Sequence, residues 1–186
     1  MIEYNIFRHA GDSLTYDDEV VLAAFVSTTI GVLDGNGLGN DSNKIRDGFR
    51  SIIENAGYDE KADAETRFST AVEKTEAQMP DNAEYMIMEI DGSAVESMRH
   101  GDVYAKIVMS GEMRSLPNGK FGLSKGDRII LATSNFYRKL TDEAILADAL
   151  VSENCSEWMN LMIRRISDSC ELKCGNLSAV TLIVRQ

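Results

Sequence analysis

Proline is scarce in this chain, two residues in 186, and glycine contributes only fourteen. That excludes a collagen-like or proline-rich disordered polymer. Long apolar runs are missing as well. The longest, Val20 to Val26, is strand-sized, far below the roughly 18 residues that span a bilayer. It follows an acidic stretch, which does not fit a signal peptide. Cationic residues are in short supply, 19 against 30 acidic, for a formal charge of −11. Such a surface repels phosphate backbones and anionic lipid, so neither nucleic acid nor a membrane is an expected partner. Divalent cations and basic protein segments are favoured instead. Histidine occurs twice, at His9 and His100, and cysteine three times, at Cys155, Cys170 and Cys174. An odd cysteine count suits a reducing, cytoplasmic setting. With no second cysteine pair, a zinc site is not expected.

What is present is ordinary for a soluble globular protein: 44% hydrophobic and 26% charged residues, enough for one domain over residues 1–186. Met1 to Phe7 alternates weakly and reads as an edge strand, and Glu19 to Ser27 reads as a strand covered on both faces. Ile30 to Leu33 leads into Asp34-Gly35-Asn36-Gly37-Leu38-Gly39, where three glycines in five positions let the backbone approach a neighbour closely. Asp41 or Ser42 is the expected cap of a helix carrying Ile45, Phe49, Ile52 and Ile53 on one face, with Gly57 at its C-terminal end. A second helix is expected over Ala64 to Gln78, with Phe68, Ala71 and Val72 inward. Residues 57–84 hold eight acidic and three basic side chains, an exposed negative face.

From Tyr85 the period changes to that of strands: Tyr85 to Ile90, Ala94 to Met98, Val103 to Met109 and Arg128 to Thr133, with turns at Asp91-Gly92, Ser110-Gly111 and Asn118-Gly119. Helices follow over Thr141 to Val151 and Ser156 to Ser167, the latter with a stripe of Trp158, Leu161, Met162 and Ile166. Ala179 to Val184 is the closing strand. Hairpin-linked strands with helices in consecutive pairs point to an α+β fold: two mainly antiparallel sheets, each covered by a helix pair, in four layers. The methionines and Trp158 read as core. His9 and His100 flank loops, without an identifiable partner for acid–base work.

Five polar or glycine-bearing segments recur at strand ends. The order of these segments resembles the metal-dependent serine/threonine phosphatases of the type 2C class, above all the small bacterial sporulation and stress-response members. Arg8 to Ser13 resembles the opening Arg…Asp-Ser segment, and Gly31 to Gly37 the Val-Phe-Asp-Gly-His-Gly segment. His100 to Tyr104 resembles Val-Gly-Asp-Ser-Arg without its arginine. Leu123 to Phe136 resembles the stretch ending in Ser-Asp-Gly, and Gly175 to Thr181 the closing Asp-Asn-Ile-Thr segment. The resemblance implies a β-sandwich flanked by helix pairs, and aspartates holding two Mg²⁺ or Mn²⁺ ions that activate a bridging water. It implies Asp12 and Asp34 as metal carboxylates, a Gly35 carbonyl ligand, Asp102 at an additional metal position, and Arg8 facing phosphate. A second register, with Thr28-Thr29 in place of Asp-Gly, leaves Asp34 in a loop.

The departures carry the functional expectation. Asn135 and Gly175 stand where the family has its two late aspartates, and Phe136 replaces a small residue and is expected to crowd the site. Each lost charge at contact distance is worth about 4 kcal/mol at an effective dielectric of about 20. The chain is therefore expected to bind Mg²⁺ or Mn²⁺ weakly or not at all. It is read as a pseudophosphatase, a regulatory or protein-binding module whose partner is a protein, a phosphoprotein among the options. The alternative is an active phosphoprotein phosphatase with a rearranged site built from Asp12, Asp34 and Asp102.

Overall fold

Two five-stranded sheets supply the framework, and several of their strands are buried at nearly every position. The computed structural model describes residues 1–11, 17–169 and 175–185; Asp12, Cys170 and Cys174 lie outside the described residues. Contacts divide the chain into two compact units, one of residues 1–16, 104–116 and 124–186, the other of residues 17–103 and 117–123. Every strand pairing found among the described residues is antiparallel.

In the first unit the sheet runs β1 (Ile2–His9), β10 (Leu177–Val184), β9 (Arg128–Ala132), β6 (Tyr104–Met109), β7 (Glu112–Ser115). β10 is buried along its whole length because it lies between β1 and β9. Its polar residues are spent on bonds: Thr181 Oγ1 donates to the Cys155 carbonyl at 3.2 Å. Three helices belong here, α3 (Ser134–Tyr137), α4 (Asp142–Val151) and α5 (Cys155–Ser169). Thr141 caps α4 by accepting from the Ala144 amide. α5 starts on a carboxylate from a distant strand, the Cys155 amide donating to Glu3 Oε1 at 2.6 Å. Trp158 is fully buried, and its indole N–H donates to the Ile145 carbonyl, joining α5 to α4. The α5 stripe is Cys155, Trp158, Met159, Met162 and Ile166; Leu161, expected inside, is half-exposed.

In the second unit the order is β2 (Glu19–Ala24), β3 (Thr28–Asp34), β4 (Glu84–Asp91), β5 (Ala94–His100), β8 (Gly119–Gly122). α1 (Ser42–Gly57) lies against β2 and β3, and α2 (Ala64–Gln78) against β4 and β5. Phe49, Ile53 and Ala71 pack there with Leu33, Tyr85 and Ile87, and Phe68 and Val72 border that cluster. Asp63 caps α2, accepting from Thr66 N at 2.8 Å.

Two expectations about α1 fail. Neither Asp41 nor Ser42 caps it through a side chain: Asp41 makes no such bond, and Ser42 Oγ donates to Asp17 Oδ1. Gly57 is not a left-handed terminator either. It is the last helical residue, and a Cβ there would lie 2.4 Å from Ala23 Cβ, so close packing on β2 is what excludes a side chain.

Candidate functional site

The residues singled out by sequence are divided between the two units, and in each they collect at one end of the sheet. In the second unit that end carries Asp34, the last residue of β3, only 1% exposed. Asp34 Oδ1 accepts from the Asn36 amide at 3.0 Å, which fixes the carboxylate against the turn that follows. Gly35 donates its amide to Asp18 Oδ1 at 2.9 Å. A Cβ on Gly35 would meet the Asp17 backbone at 2.4 to 2.5 Å, so only glycine lets the turn lie this close to the chain entering β2. The alternative register places Thr28-Thr29 at the ligand position. In the structure Thr29 is near the other end of β3 with its hydroxyl on Glu89, and the strand end before the glycine-rich turn belongs to Asp34.

Asp34 pairs with Glu84 across β3 and β4, and Gly101 abuts Glu84 from the end of β5. Asp102, next along, is exposed. Asp18, Asp34, Glu84 and Asp102 thus occupy one end of four neighbouring strands. Sequence reasoning missed Asp18, 1% exposed, and Glu84. The available signal was the acidic triplet Asp17-Asp18-Glu19 placed directly before a buried strand. His100 stacks on Tyr85, ring centroids 5.3 Å apart, with Nε2 3.3 Å from the Asp81 carbonyl.

In the first unit, Arg8, Asn135 and Gly175 lie at one end of the sheet. Arg8 is exposed on the edge strand, opposite Ser178. Ser178 is locked to Thr133: the Thr133 amide donates to the Ser178 carbonyl at 3.0 Å, and the Ser178 amide donates to Thr133 Oγ1 at 3.2 Å. That lock sets the single-turn helix α3 beside the start of β10, and with it Asn135 beside Gly175. The Asn135 carboxamide fills the space a side chain at 175 would take, its Nδ2 2.5 Å from the Cβ position. Phe136 does not crowd this end. Its ring is fully buried in the core of the unit, 6.0 Å from the ring of Phe7, because α3 turns it inward.

The structure aligns along the whole chain with the serine/threonine phosphatase PstP/Ppp of Mycobacterium tuberculosis. The TM-score is 0.80, with 100% of this chain and 99% of that one covered at 13% identity. The fold is that of the type 2C protein phosphatases. PstP in complex with two manganese ions matches at TM-score 0.72 and 13% identity, over 100% of this chain and 99% of that one. RsbX in complex with magnesium matches at 0.75 and 16%, over 98% and 94%. No family model and no curated protein matches the sequence.

The last two of these neighbours hold metal ions, and the type 2C fold raises the question of whether this chain's residues fit them. One of the residues singled out as a ligand, Asp12, lies outside the described residues. Asn135 offers a neutral amide, Gly175 offers no side chain, and among the described residues no three His, Cys, Asp or Glu side chains group to hold a metal. Among those residues, too, no helix is long and apolar enough to cross a membrane.

Proposed function

We propose that this protein is a type 2C phosphatase-like module that has lost metal-dependent catalysis and acts by binding a protein partner. The observation that carries the reading is the pair Asn135 and Gly175: one carboxamide occupies the space of both side chains at the positions resembling metal-binding aspartates. Two divalent cations bring four positive charges. Two missing carboxylates, at about 4 kcal/mol each for contact at an effective dielectric of about 20, remove much of what would offset them. Framework features are retained in each unit, a buried carboxylate at Asp34 and the tight Gly35 turn in the second and the Thr133–Ser178 lock in the first. Retention of scaffold without its charges fits recognition better than turnover. The formal charge of −11 favours a protein partner over nucleic acid or anionic lipid, and a phosphoprotein is the class the fold suggests.

Hydrolysis of an aryl phosphate with excess Mn²⁺ tests the reading. The expected result is no metal-dependent turnover, unchanged in Asp34→Ala, with activity appearing in the double variant Asn135→Asp with Gly175→Asp. Turnover by the natural chain that Asp34→Ala abolishes would overturn it. That outcome would favour the second reading, a phosphoprotein phosphatase using Asp12, Asp34 and Asp102, for which the buried carboxylates of Asp18 and Asp34 at one strand end speak.

A further inference from the structure

At the end of the second unit's sheet opposite Asp34, a cavity of about 350 Å³ opens between the start of α2 and strands β4, β5 and β8. Five carboxylates line it against one ammonium. Glu65, Asp91 and Glu96 are among them, and the one cation, Lys120, lies 3.0 Å from Glu65 and 3.7 Å from Glu96. Val95 and Phe121 give the cavity apolar walls.

The surroundings are held firmly. The carboxylate of Glu89, 2% exposed, accepts from Ser27 Oγ, from Thr29 Oγ1 at 2.5 Å and from Arg67 Nε at 3.3 Å. Arg67 in turn donates through Nη1 to the Asp59 and Ala62 carbonyls. One buried network therefore fastens the β2–β3 turn, β4 and the α1–α2 connection together. On that turn Phe25 and Val26 are 55% and 71% exposed, and Tyr58, where α1 ends, is 54% exposed. Large apolar side chains beside a carboxylate-lined cavity do not suit an anionic or purely apolar ligand.

We propose that this end of the second unit docks a basic, apolar-flanked segment of a partner protein. A lysine or arginine of the segment enters the cavity, its stem on Val95 and Phe121 and its head among the carboxylates, while its apolar neighbours cover Phe25 and Val26. The charge complementarity is local as well as global: Asp63, Glu65, Asp91 and Glu96 face the cavity against Lys120, in a chain of formal charge −11. The inference deepens the partner-binding part of the proposed function and does not depend on whether ions bind at Asp34.

Fluorescence anisotropy with a labelled peptide carrying two arginines between leucines provides the test. Binding is expected to weaken tenfold or more in Asp91→Lys with Glu96→Lys, to weaken severalfold in Phe25→Ser with Val26→Ser, and to tighten severalfold in Lys120→Glu. The Lys120→Glu result decides the matter if the charge-reversed protein does not fold. Three results would each overturn the proposal: no binding; equal binding of a charge-matched peptide with glycine in place of leucine; or equal weakening by Glu143→Lys with Asp168→Lys, exposed positions in the first unit. Metal-dependent turnover in the hydrolysis assay would remove the pseudophosphatase reading and leave these binding results standing.

Discussion

Replacing Arg67 by methionine isolates the network beneath the proposed docking surface. Arg67 is 3% exposed and Glu89 2%, so truncating the arginine leaves a carboxylate in the interior with two hydroxyl donors and no cation. Breaking a buried pair from one side costs about 3–5 kcal/mol, since the remaining charge has lost its solvent and its partner. The Ala62 carbonyl also loses its donor, and the Asp59 carbonyl keeps only the Ala62 amide, which adds to the cost. For a chain of this size each kcal/mol moves the melting temperature by about 2–4 °C, so Arg67→Met should lower it by roughly 10 °C or more. Removing both charges in Arg67→Met with Glu89→Leu should recover at least half of the loss, because the uncompensated ion is gone. Circular dichroism melts and urea titrations of the two variants and the parent measure this. A loss below about 1 kcal/mol for the single variant, or no recovery in the double, would refute the assignment of the pair as a structural tie.

Gly35→Ala should destabilise by about 1–3 kcal/mol, since the added methyl meets backbone atoms of Asp17 that have no cheap way to move; an unchanged urea midpoint would contradict this. Burial, followed by the nearby Glu3 carboxylate, pushes the Cys155 thiol up to about 12. At pH 8 its thiolate is therefore only about one part in ten thousand, and peptide mass spectrometry should find Cys155 unmodified by iodoacetamide until the protein is unfolded. Glu3 is the opposite case. Burial works against its ionisation, but the Cys155 amide and Arg185 outweigh it and hold the carboxyl below its ordinary 4.5. A depressed folded value stabilises above the unfolded one and is lost as pH falls through the folded one. Glu3→Gln should accordingly cost about 1 kcal/mol near pH 7, through its contact at the start of α5, and the difference from the parent should vanish at acid pH; a difference independent of pH would refute the charge argument.

Much of the fold was legible because its long elements are periodic. The buried run of β10, the apolar run from Tyr85 and the helical spacing of Ile45, Phe49, Ile52 and Ile53 each fix an element from local sequence alone. The short pieces were not. β7 and β8 are four residues each, mostly exposed, and exist as strands because β6 and β5 offer them a ladder. Nothing in Glu-Met-Arg-Ser or Gly-Lys-Phe-Gly announces that partner. Phe136 misled because its role depends on the turn of α3, which the Thr133–Ser178 bonds set from 45 residues away. The buried charges were hidden for the same reason: Arg67 sits in an acidic stretch that reads as solvated, and the strand carboxylate it meets is 22 residues on. At the candidate site, Asp34 and Gly35 were visible as an Asp-Gly turn, whereas Asp18 becomes notable only when its carboxylate is found on the Gly35 amide.

Titration calorimetry of the purified protein with Mn²⁺ up to millimolar concentration, alongside the variant carrying both Asn135→Asp and Gly175→Asp, addresses the charge deficit most directly. The account predicts no resolvable binding to the natural chain and a saturable metal isotherm in the variant. Saturable binding of two ions per natural chain at micromolar concentration would contradict it.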